Sequence, residues 1–383
     1  MNISDFIAGT YLQQFEYKSF SPSKINHAWE VADSEILQLL SDADRALGEL
    51  NAFSQLVPDV DFFIRMHITK EATQSSRIEG TRTNMEEALL DKNNIEPEKE
   101  DDWDEVQNYI KAINKAIEQL KVLPLSNRLL RDTYKVLMQG VRGKTKQPGE
   151  FRNSQNWIGA SLKNAIFIPP HQDEVNDLMS DLEKFIHNNE LHVPHLIKIA
   201  IVHYQFETIH PFLDGNGRLG RLMVALYLAN YKLLHKPALY LSDYFERNKT
   251  EYVDRLMAVR ESNKIKEWLV FFLFGVRETA ENSIQVFKDI IVLKEKLTRD
   301  VLPHFSTRRQ ESAQKLMKHL YKMPIVDIKS VASLFELKTN TASALVNDFV
   351  KYGVLQEITG KKRNRTFLFK EYLTVFNRQF TEN

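Results

Sequence analysis

Apolar residues recur every three or four positions along most of the chain, which is the spacing of an amphipathic or buried helix. In the segment 34–50, for example, Ile36, Leu40, Ala43 and Leu47 would share one face of a helix. The same spacing predicts further helices over residues 62–79, 106–120, 128–139, 174–187, 191–207, 219–234 and 249–276. We therefore expect a mainly α fold.

One segment departs from the helical spacing. Two short β-prone runs, near residues 157–160 and 165–168, flank the polar turn 161–164, and this pattern predicts a β-hairpin. An isolated hairpin is only marginally stable in water, so we expect this one to pack on the helical core. The pair Pro169-Pro170 would end the second strand because proline has no backbone N–H to donate.

The C-terminal part, residues 305–383, has a different pattern and charge. Helical spacing over 312–322, 328–335 and 339–352 is followed by two strand-like runs, 354–359 and 366–369, around a basic turn. The segment contains 14 basic and 7 acidic residues, a net charge of +7. Three helices followed by a β-wing resemble a winged helix-turn-helix domain.

In a DNA-binding member of this class, the start of the third helix would contact bases and the wing would contact phosphates. The candidate DNA contacts are Lys338, Asn340, Lys361, Lys362 and Arg363. Winged helices also serve in protein contacts and dimerisation, so DNA binding and a homodimer both stay open.

Length, charge and composition exclude several classes of protein. The chain has 383 residues, no net charge and no cysteine. Disulfides, thiol catalysis and cysteine–metal sites are therefore excluded. The first 14 residues lack the layout of a signal peptide, and the longest strongly apolar run, 268–276, is much shorter than the roughly 20 residues that span a bilayer. We expect a cytoplasmic chain with no membrane partner.

The acidic stretch 96–102, which includes a proline, predicts a loop.

The segment with the most specific chemistry is 210–221, with the sequence HPFLDGNGRLGR. Gly215 and Gly217 allow a tight turn and a close approach to a ligand. A helix that begins at such a turn directs free N–H groups and its positive dipole end at one point, which suits an anion. Arg218 and Arg221 are three residues apart, so both side chains would reach that anion.

Two more residues of this segment suit phosphate chemistry. Asp214 could hold Mg²⁺, which usually takes one or two carboxylates together with phosphate oxygens. His210 could accept a proton near neutral pH. His210 alone is equally typical of a polar loop, but the whole run meets successive requirements of one chemistry. The segment therefore predicts a site that binds a phosphate-containing ligand.

The segment resembles the signature of the Fic family, His-x-Phe-x-Asp/Glu-Gly-Asn-Gly-Arg-x-x-Arg, and matches it at every fixed position. The resemblance implies a helical core and the transfer of a nucleotide monophosphate, usually AMP from ATP, to a protein hydroxyl. It further implies that His210 is the catalytic base and that Asp214 holds Mg²⁺. The residues it assigns to nucleotide binding are Gly215, Asn216, Gly217, Arg218, Leu219, Gly220, Arg221 and, further along the chain, Tyr244.

A second motif upstream is similar to the inhibitory pattern of the same family, Ser/Thr-x-x-x-Glu-Gly/Asn. Ser75, Glu79 and Gly80 occupy its fixed positions. The predicted helix would end at Gly80, so Glu79 would lie in the last turn, where its charge opposes the helix dipole by about 0.3–1 kcal/mol. Such a carboxylate favours a cationic partner, and the resemblance implies that this partner is Arg221. The alternatives are an ordinary exposed glutamate or a structural ion pair.

The predicted hairpin resembles the Fic flap, which holds the target segment by strand-like pairing over the active site. The candidate docking residues are Trp157, Ile158, Gly159, Phe167 and Ile168. The alternative is a hairpin that only covers a helix.

Together these features predict an autoinhibited protein adenylyltransferase that uses ATP and Mg²⁺ and modifies a Ser, Thr or Tyr hydroxyl of a target protein or of itself. Two alternatives stay open: a DNA-binding regulator that uses the Fic core as a nucleotide-sensing switch, and a Fic enzyme that transfers or removes another phosphate-containing group. The predicted division is an N-terminal helical region with the inhibitory motif (1–110), a catalytic core (111–280), a linker helix (281–304) and a winged helix domain (305–383).

Overall fold

Helices form most of the chain that the computed structural model describes, namely residues 2–56, 60–140, 147–360 and 364–378. The predicted mainly α fold is confirmed. The strands are β1 (Gly9–Gln13), β2 (Lys18–Pro22), β3 (Ile158–Gly159), β4 (Ala165–Phe167), β5 (Ile325–Asp327), β6 (Gln356–Glu357) and β7 (Thr366–Leu368). The helices are α1 (Ser34–Leu56), α2 (Val60–Ile78), α3 (Met85–Leu89), α4 (Glu100–Gln119), α5 (Asn127–Leu137), α6 (Val175–His187), α7 (His195–Ile209), α8 (Asn216–Asn230), α9 (Ser242–Arg247), α10 (Lys249–Ser262), α11 (Ile265–Asp300), α12 (Thr307–Lys322), α13 (Ile328–Leu334), α14 (Thr339–Lys351) and α15 (Lys370–Asn377).

The centre of the fold is the pair α7 and α8. Every residue of α7 from Leu196 to Ile209 is buried, including the polar residues Lys198, His203, Gln205 and Glu207. Helices α2, α4 and α5 pack against α8, and α6 and α11 pack against α7. The signature segment connects these two helices, so it begins and ends in elements that are packed into the core.

The predicted helix over residues 249–276 is in fact two helices, α10 and α11. Asn263 separates them with a left-handed backbone (φ 59°), and its side chain accepts a hydrogen bond from the Ala8 N–H at 2.7 Å. Asparagine tolerates this conformation better than most residues. The partner of Asn263 lies 255 positions away in the sequence, so helical spacing could not indicate the break.

An antiparallel hairpin of β1 and β2 precedes the helices and was not predicted. Phe20 of β2 is buried, and its ring lies 5.8 Å from that of Phe167 in β4. The Phe20 N–H donates to the Ile168 carbonyl at 2.9 Å. The N-terminal hairpin therefore packs beside the predicted second hairpin.

The C-terminal region contains the predicted helices α12, α13 and α14, together with an additional helix, α15. Its antiparallel sheet has the order β5-β7-β6, so β5 adds a strand to the two predicted ones. Lys338 and Asn340 are exposed at the start of α14, whereas Lys361, Lys362 and Arg363 lie outside the described residues. DNA binding by this region stays a prediction.

Two predicted domain boundaries fall inside continuous helices. Helix α4 runs through residues 110 and 111, and the 36-residue α11 runs through residues 280 and 281. The predicted linker helix is thus the second half of α11. No helix within the described ranges is both long enough and apolar enough to cross a membrane.

Candidate active site

The signature segment forms a closed loop between α7 and α8. His210 ends α7 in a left-handed conformation (φ 51°), and its N–H donates to the Phe206 carbonyl at 2.9 Å. The Asn216 side chain both accepts from the Phe212 N–H and donates to the Phe212 carbonyl, each at 2.8 Å. Gly215 has a positive φ of 70° and leads into α8. The predicted glycine turn at a helix start is therefore present.

The start of α8 provides the groups that suit an anion. The first turn of a helix leaves N–H groups without partners inside the helix, and they face the positive end of its dipole. Arg218 and Arg221 are both buried there. The Arg218 guanidinium pairs with Glu105 of α4 at 2.9 Å. Asp214 is exposed beside the turn, and its carboxylate accepts from the Gly215 N–H at 2.6 Å.

A cavity of about 540 Å³ lies between the start of α8, the end of α2 and the acidic start of α4. It is lined by Glu79, Gly80, Thr81, Arg82, Glu98, Lys99, Asp102, Glu105, Asp214 and Arg218. Within the described ranges, no cluster of three or more histidines and carboxylates could hold a metal ion. Of the five acidic residues that line this cavity, Asp214 is the one beside the glycine turn. A single carboxylate there fits Mg²⁺, which keeps several waters and shares phosphate oxygens with its substrate.

Glu79 contacts Arg221, as the inhibitory motif predicted. The Arg221 guanidinium donates to the Glu79 carboxylate at 2.6 Å and to the Ser75 hydroxyl and carbonyl at 2.9 Å each. Helix α2 ends at Ile78, one residue earlier than predicted, and Gly80 continues the turn with φ 104°. Ser75 and Glu79 therefore both bind Arg221 of α8, and Gly80 forms the turn that follows them.

The Glu79 carboxylate reaches the first turn of α8 because residue 217 is glycine. A Cβ at that position would overlap the Glu79 carboxylate oxygen. Burial acts to raise the pKa of Glu79, but Arg221, together with Arg218 and His210, lowers it overall. Glu79 is thus an anion held where the helix start and the arginines favour negative charge.

His210 lies in a positively charged surrounding. Burial, followed by the charges of Arg260 and Arg152, lowers its pKa to about 4, and the Glu207 carbonyl opposes this shift. An imidazole with this pKa is neutral at physiological pH, so it can accept a proton. The loop that holds it is fixed by Asn156, whose amide donates to the carbonyls of His210 and Phe212 at 3.1 and 2.8 Å.

The predicted hairpin is present as β3 and β4, with Ile158 paired to Phe167. We call residues 157–168 the flap. Trp157 is 43% exposed, whereas Phe167 is buried. Gly159 has a positive φ of 129° at an irregularity in the pairing, and the Ile168 carbonyl bonds to β2. The flap therefore has a side attached to the core and a side open to solvent.

Tyr244 packs against α11, and its predicted place in the nucleotide site stays a prediction. Its ring packs over Gly275 of α11, where a Cβ would overlap it, and 5.0 Å from the ring of Phe271. It lines a separate cleft between α9, α10 and α11. Packing of α9 against α11 determines this position, and aromatic residues serve a core as readily as a ligand site.

Four residues near the site were missed from the sequence: Glu105, Arg152, Glu207 and Arg260. Glu207 is buried, and burial raises the pKa of its carboxyl to about 7. A Cβ at Gly220 would overlap its carboxylate oxygen, so the small residue at 220 makes room for it. The contacts of these four residues with the site form only in the folded chain. The spacing of apolar residues along a helix does not indicate such contacts.

Two models from protein families match the chain. The model described as the Fic/DOC family N-terminal region matches residues 37–118, and the model of the Fic/DOC family matches residues 124–228. A curated relative from Aedes aegypti, named Protein adenylyltransferase Fic, is 36% identical over 77 residues, which cover 20% of this chain and 14% of that protein. The relative of the same name from Drosophila mojavensis is 33% identical over 100 residues, 25% of this chain and 19% of that protein. The matches thus span less than a fifth of the length of these relatives.

Solved structures agree with the fold. A Fic family protein from Desulfovibrio desulfuricans G20 aligns with a TM-score of 0.56 at 19% identity, covering 90% of this chain and 98% of that one. A Fic domain containing signaling protein from Bacteroides thetaiotaomicron aligns with a TM-score of 0.52 at 17% identity, covering 67% and 97%. At these identities the likeness concerns the fold.

Proposed function

We propose that the chain, whose residues 37–118 and 124–228 match the two Fic/DOC family models, transfers AMP from ATP to a Ser, Thr or Tyr hydroxyl of a target protein or of another copy of the chain. One observation supports this proposal above the others. His210, Asp214 and the two arginines of α8 are brought together around one helix start by a closed loop. The curated relatives named for this activity agree with it.

In the proposed reaction the target hydroxyl oxygen attacks the α-phosphorus of ATP. A bond forms between that oxygen and the phosphorus, and the bond from the phosphorus to the bridging oxygen breaks, so that diphosphate leaves. The neutral imidazole of His210 takes the hydroxyl proton. The N–H groups of the first turn of α8, with Arg218 and Arg221, stabilise the charge on the phosphates. Mg²⁺ held by Asp214 would supply additional charge stabilisation when bound.

We further propose that Glu79 restrains this activity. Its carboxylate occupies Arg221 at 2.6 Å and lies against Gly217, in the region where phosphate oxygens would contact α8. Two anions cannot share that place without strong repulsion. ATP would therefore bind with its terminal phosphate displaced, or only in molecules in which Glu79 has moved away.

The restraint depends on the position of α2, which contacts with other helices hold in place. Near its middle, the buried Glu71 accepts hydrogen bonds from the Ser242 hydroxyl at 2.6 Å and the Tyr109 hydroxyl at 2.8 Å. Towards its start, the His67 ring lies 5.3 Å from the Phe376 ring of α15. The C-terminal region thus packs directly on the helix that positions Glu79.

The test is incorporation of label from α-labelled ATP with Mg²⁺, with the purified chain alone and with a cell lysate. We expect weak labelling by the native chain, strong labelling by Glu79→Gly, and none when His210→Ala is added. Labelling from α-labelled CTP, GTP or UTP but not from ATP would retain the enzyme class and reject AMP as the group transferred. Nucleotide binding without labelling from any donor would reject the enzyme.

A further inference from the structure

Two buried arginines that lie outside the signature segment bracket the His210 loop. We propose that Arg152 and Arg260 are positioning residues that fasten the end of α7, the His210 loop and the flap into one unit. The inference rests on the proposed function, since it assigns both residues a part in the AMP transfer.

Arg152 connects the backbone before the flap, at His210 and after the flap. Its guanidinium donates to the carbonyls of His210 at 3.0 Å, Ile209 at 3.3 Å, Ser154 at 3.2 Å and Pro170 at 2.6 Å. The residue is only 3% exposed, so water competes little for these bonds. A rigid, planar group with five N–H donors can hold four carbonyls at once, whereas the ammonium of a lysine has only three donors.

Arg260 of α10 makes the same connection from the other side. Its guanidinium donates to the Thr208 hydroxyl at 3.1 Å and to the Glu207 carbonyl at 3.0 Å, both in the last turn of α7. The same guanidinium lies 4.1 Å from the ring centroid of Phe167 in β4, a cation–π contact. One side chain therefore contacts the helix end before His210 and the buried side of the flap.

The backbone at His210 requires this support. A left-handed conformation is uncommon for a residue other than glycine and persists when the surrounding structure enforces it. The Arg152 side chain and the Asn156 amide both bind the His210 carbonyl. Without them, the loop could relax and move the imidazole away from the acceptor hydroxyl.

The two arginines also act on the charge of His210. The charged groups that affect its pKa are Arg260 from α10, Arg152 from the segment before the flap and Glu79 just after α2, and the Glu207 carbonyl of α7 acts to raise it. Burial and the two positive charges favour the neutral ring. The arginines would therefore keep the base ready to accept a proton while they hold its position.

Hydrogen exchange tests the fastening without any need for activity. In the full-length chain, we expect Arg260→Gln to speed exchange of residues 205–212 and of the flap together, by about tenfold or more. Arg255→Gln is the matched control, because Arg255 lies on the same helix and pairs with Glu251 and Glu267 near the surface. Phe167→Leu removes the flap side of the contact and should also speed exchange at 205–212. Faster exchange in only one of the two segments, or in neither, would overturn the proposal.

Kinetics then test the part in catalysis, in a Glu79→Gly background. We expect Arg260→Gln to lower kcat by roughly tenfold or more with little change in the KM for ATP. It should also move the acid limb of the pH–rate profile upward by roughly half a pH unit or more, because a positive charge beside His210 is lost. Arg260→Lys retains the charge, so it should lower kcat and leave the acid limb in place.

A rise in KM with an unchanged kcat and an unchanged acid limb would overturn the catalytic part of the inference. If the Glu79→Gly parent transfers no label at all, the proposed function fails, and with it the part assigned to the arginines. Hydrogen exchange still decides whether Arg260 fastens the loop to the flap, so the two failures are distinguishable.

Discussion

The contact of Glu79 with Arg221 predicts a large gain of activity when Glu79 is replaced by glycine. Arg221 is buried, and its guanidinium donates to the Glu79 carboxylate at 2.6 Å, while the Glu79 side chain is 38% exposed. A fully buried ion pair that loses one partner costs about 3–5 kcal/mol, whereas exposed pairs contribute about 0–1 kcal/mol. This half-exposed, charge-assisted bond should lie between those limits, at about 1.5–3 kcal/mol.

A restraint of that size corresponds to a change of roughly 10- to 150-fold in the fraction of molecules competent to bind ATP productively. The assay is the initial rate of label transfer from α-labelled ATP at a concentration well below the KM. Glu79→Gln should give a smaller gain, since an amide can still donate or accept one hydrogen bond but has no charge. Arg77→Gly is the matched control, because Arg77 is exposed in the last turn of α2 and its guanidinium lies 3.9 Å from Glu246 of α9.

Equal rates for the native chain and Glu79→Gly would show that the Glu79 carboxylate does not restrain the transfer. An equal gain in Arg77→Gly would also contradict this restraint, because loosening of the helix end would then explain the effect without the carboxylate.

The remaining predictions concern an arginine, a buried carboxyl and the support of α2. Arg221→Lys in a Glu79→Gly background should raise the KM for ATP by about tenfold, since lysine cannot reproduce the fork of the guanidinium; an unchanged KM would place the phosphates elsewhere. Burial raises the pKa of Glu207 to about 7, so the folded state retains its proton, and stability falls as pH rises from the unfolded pKa of 4.5 through 7. Glu207→Gln should remove that loss, up to about 3 kcal/mol, so its melting temperature should fall less between pH 5 and pH 8 than that of the native chain. Phe376→Ala removes the ring that packs on His67 and should raise basal labelling of the native chain; labelling at the native level with an intact fold would show that α2 does not need this support.

The sequence predicted the parts of the site whose geometry depends on neighbouring residues. The loop from His210 to Arg221 lies within a dozen residues, and its glycines and the helix after it determine its geometry. The Glu79 contact spans 142 positions, and it could be predicted only because the motif resembles one whose partner is known. Most helices were predicted within a few residues, because their apolar spacing is regular over several turns.

The remaining features depend on contacts that local sequence does not encode. Asn263 breaks the predicted long helix because its partner, Ala8, lies at the other end of the chain. Tyr244 lines the cleft between α9, α10 and α11 because α9 packs on α11. Arg260 contacts the flap from α10. In the sequence it is one of several charged residues of that helix, and nothing distinguishes it from the others. These features therefore depend on packing between distant parts of the chain, which the spacing of apolar residues does not predict.

Mass spectrometry of the Glu79→Gly chain after incubation with ATP and Mg²⁺ is the most direct test of AMP transfer. We expect an AMP adduct on a Ser, Thr or Tyr hydroxyl of the chain or of an added lysate protein, and no adduct when His210→Ala is combined with Glu79→Gly. An adduct that persists without His210 would contradict the proposed base, and a chain that binds ATP but never forms an adduct would contradict the proposed transfer.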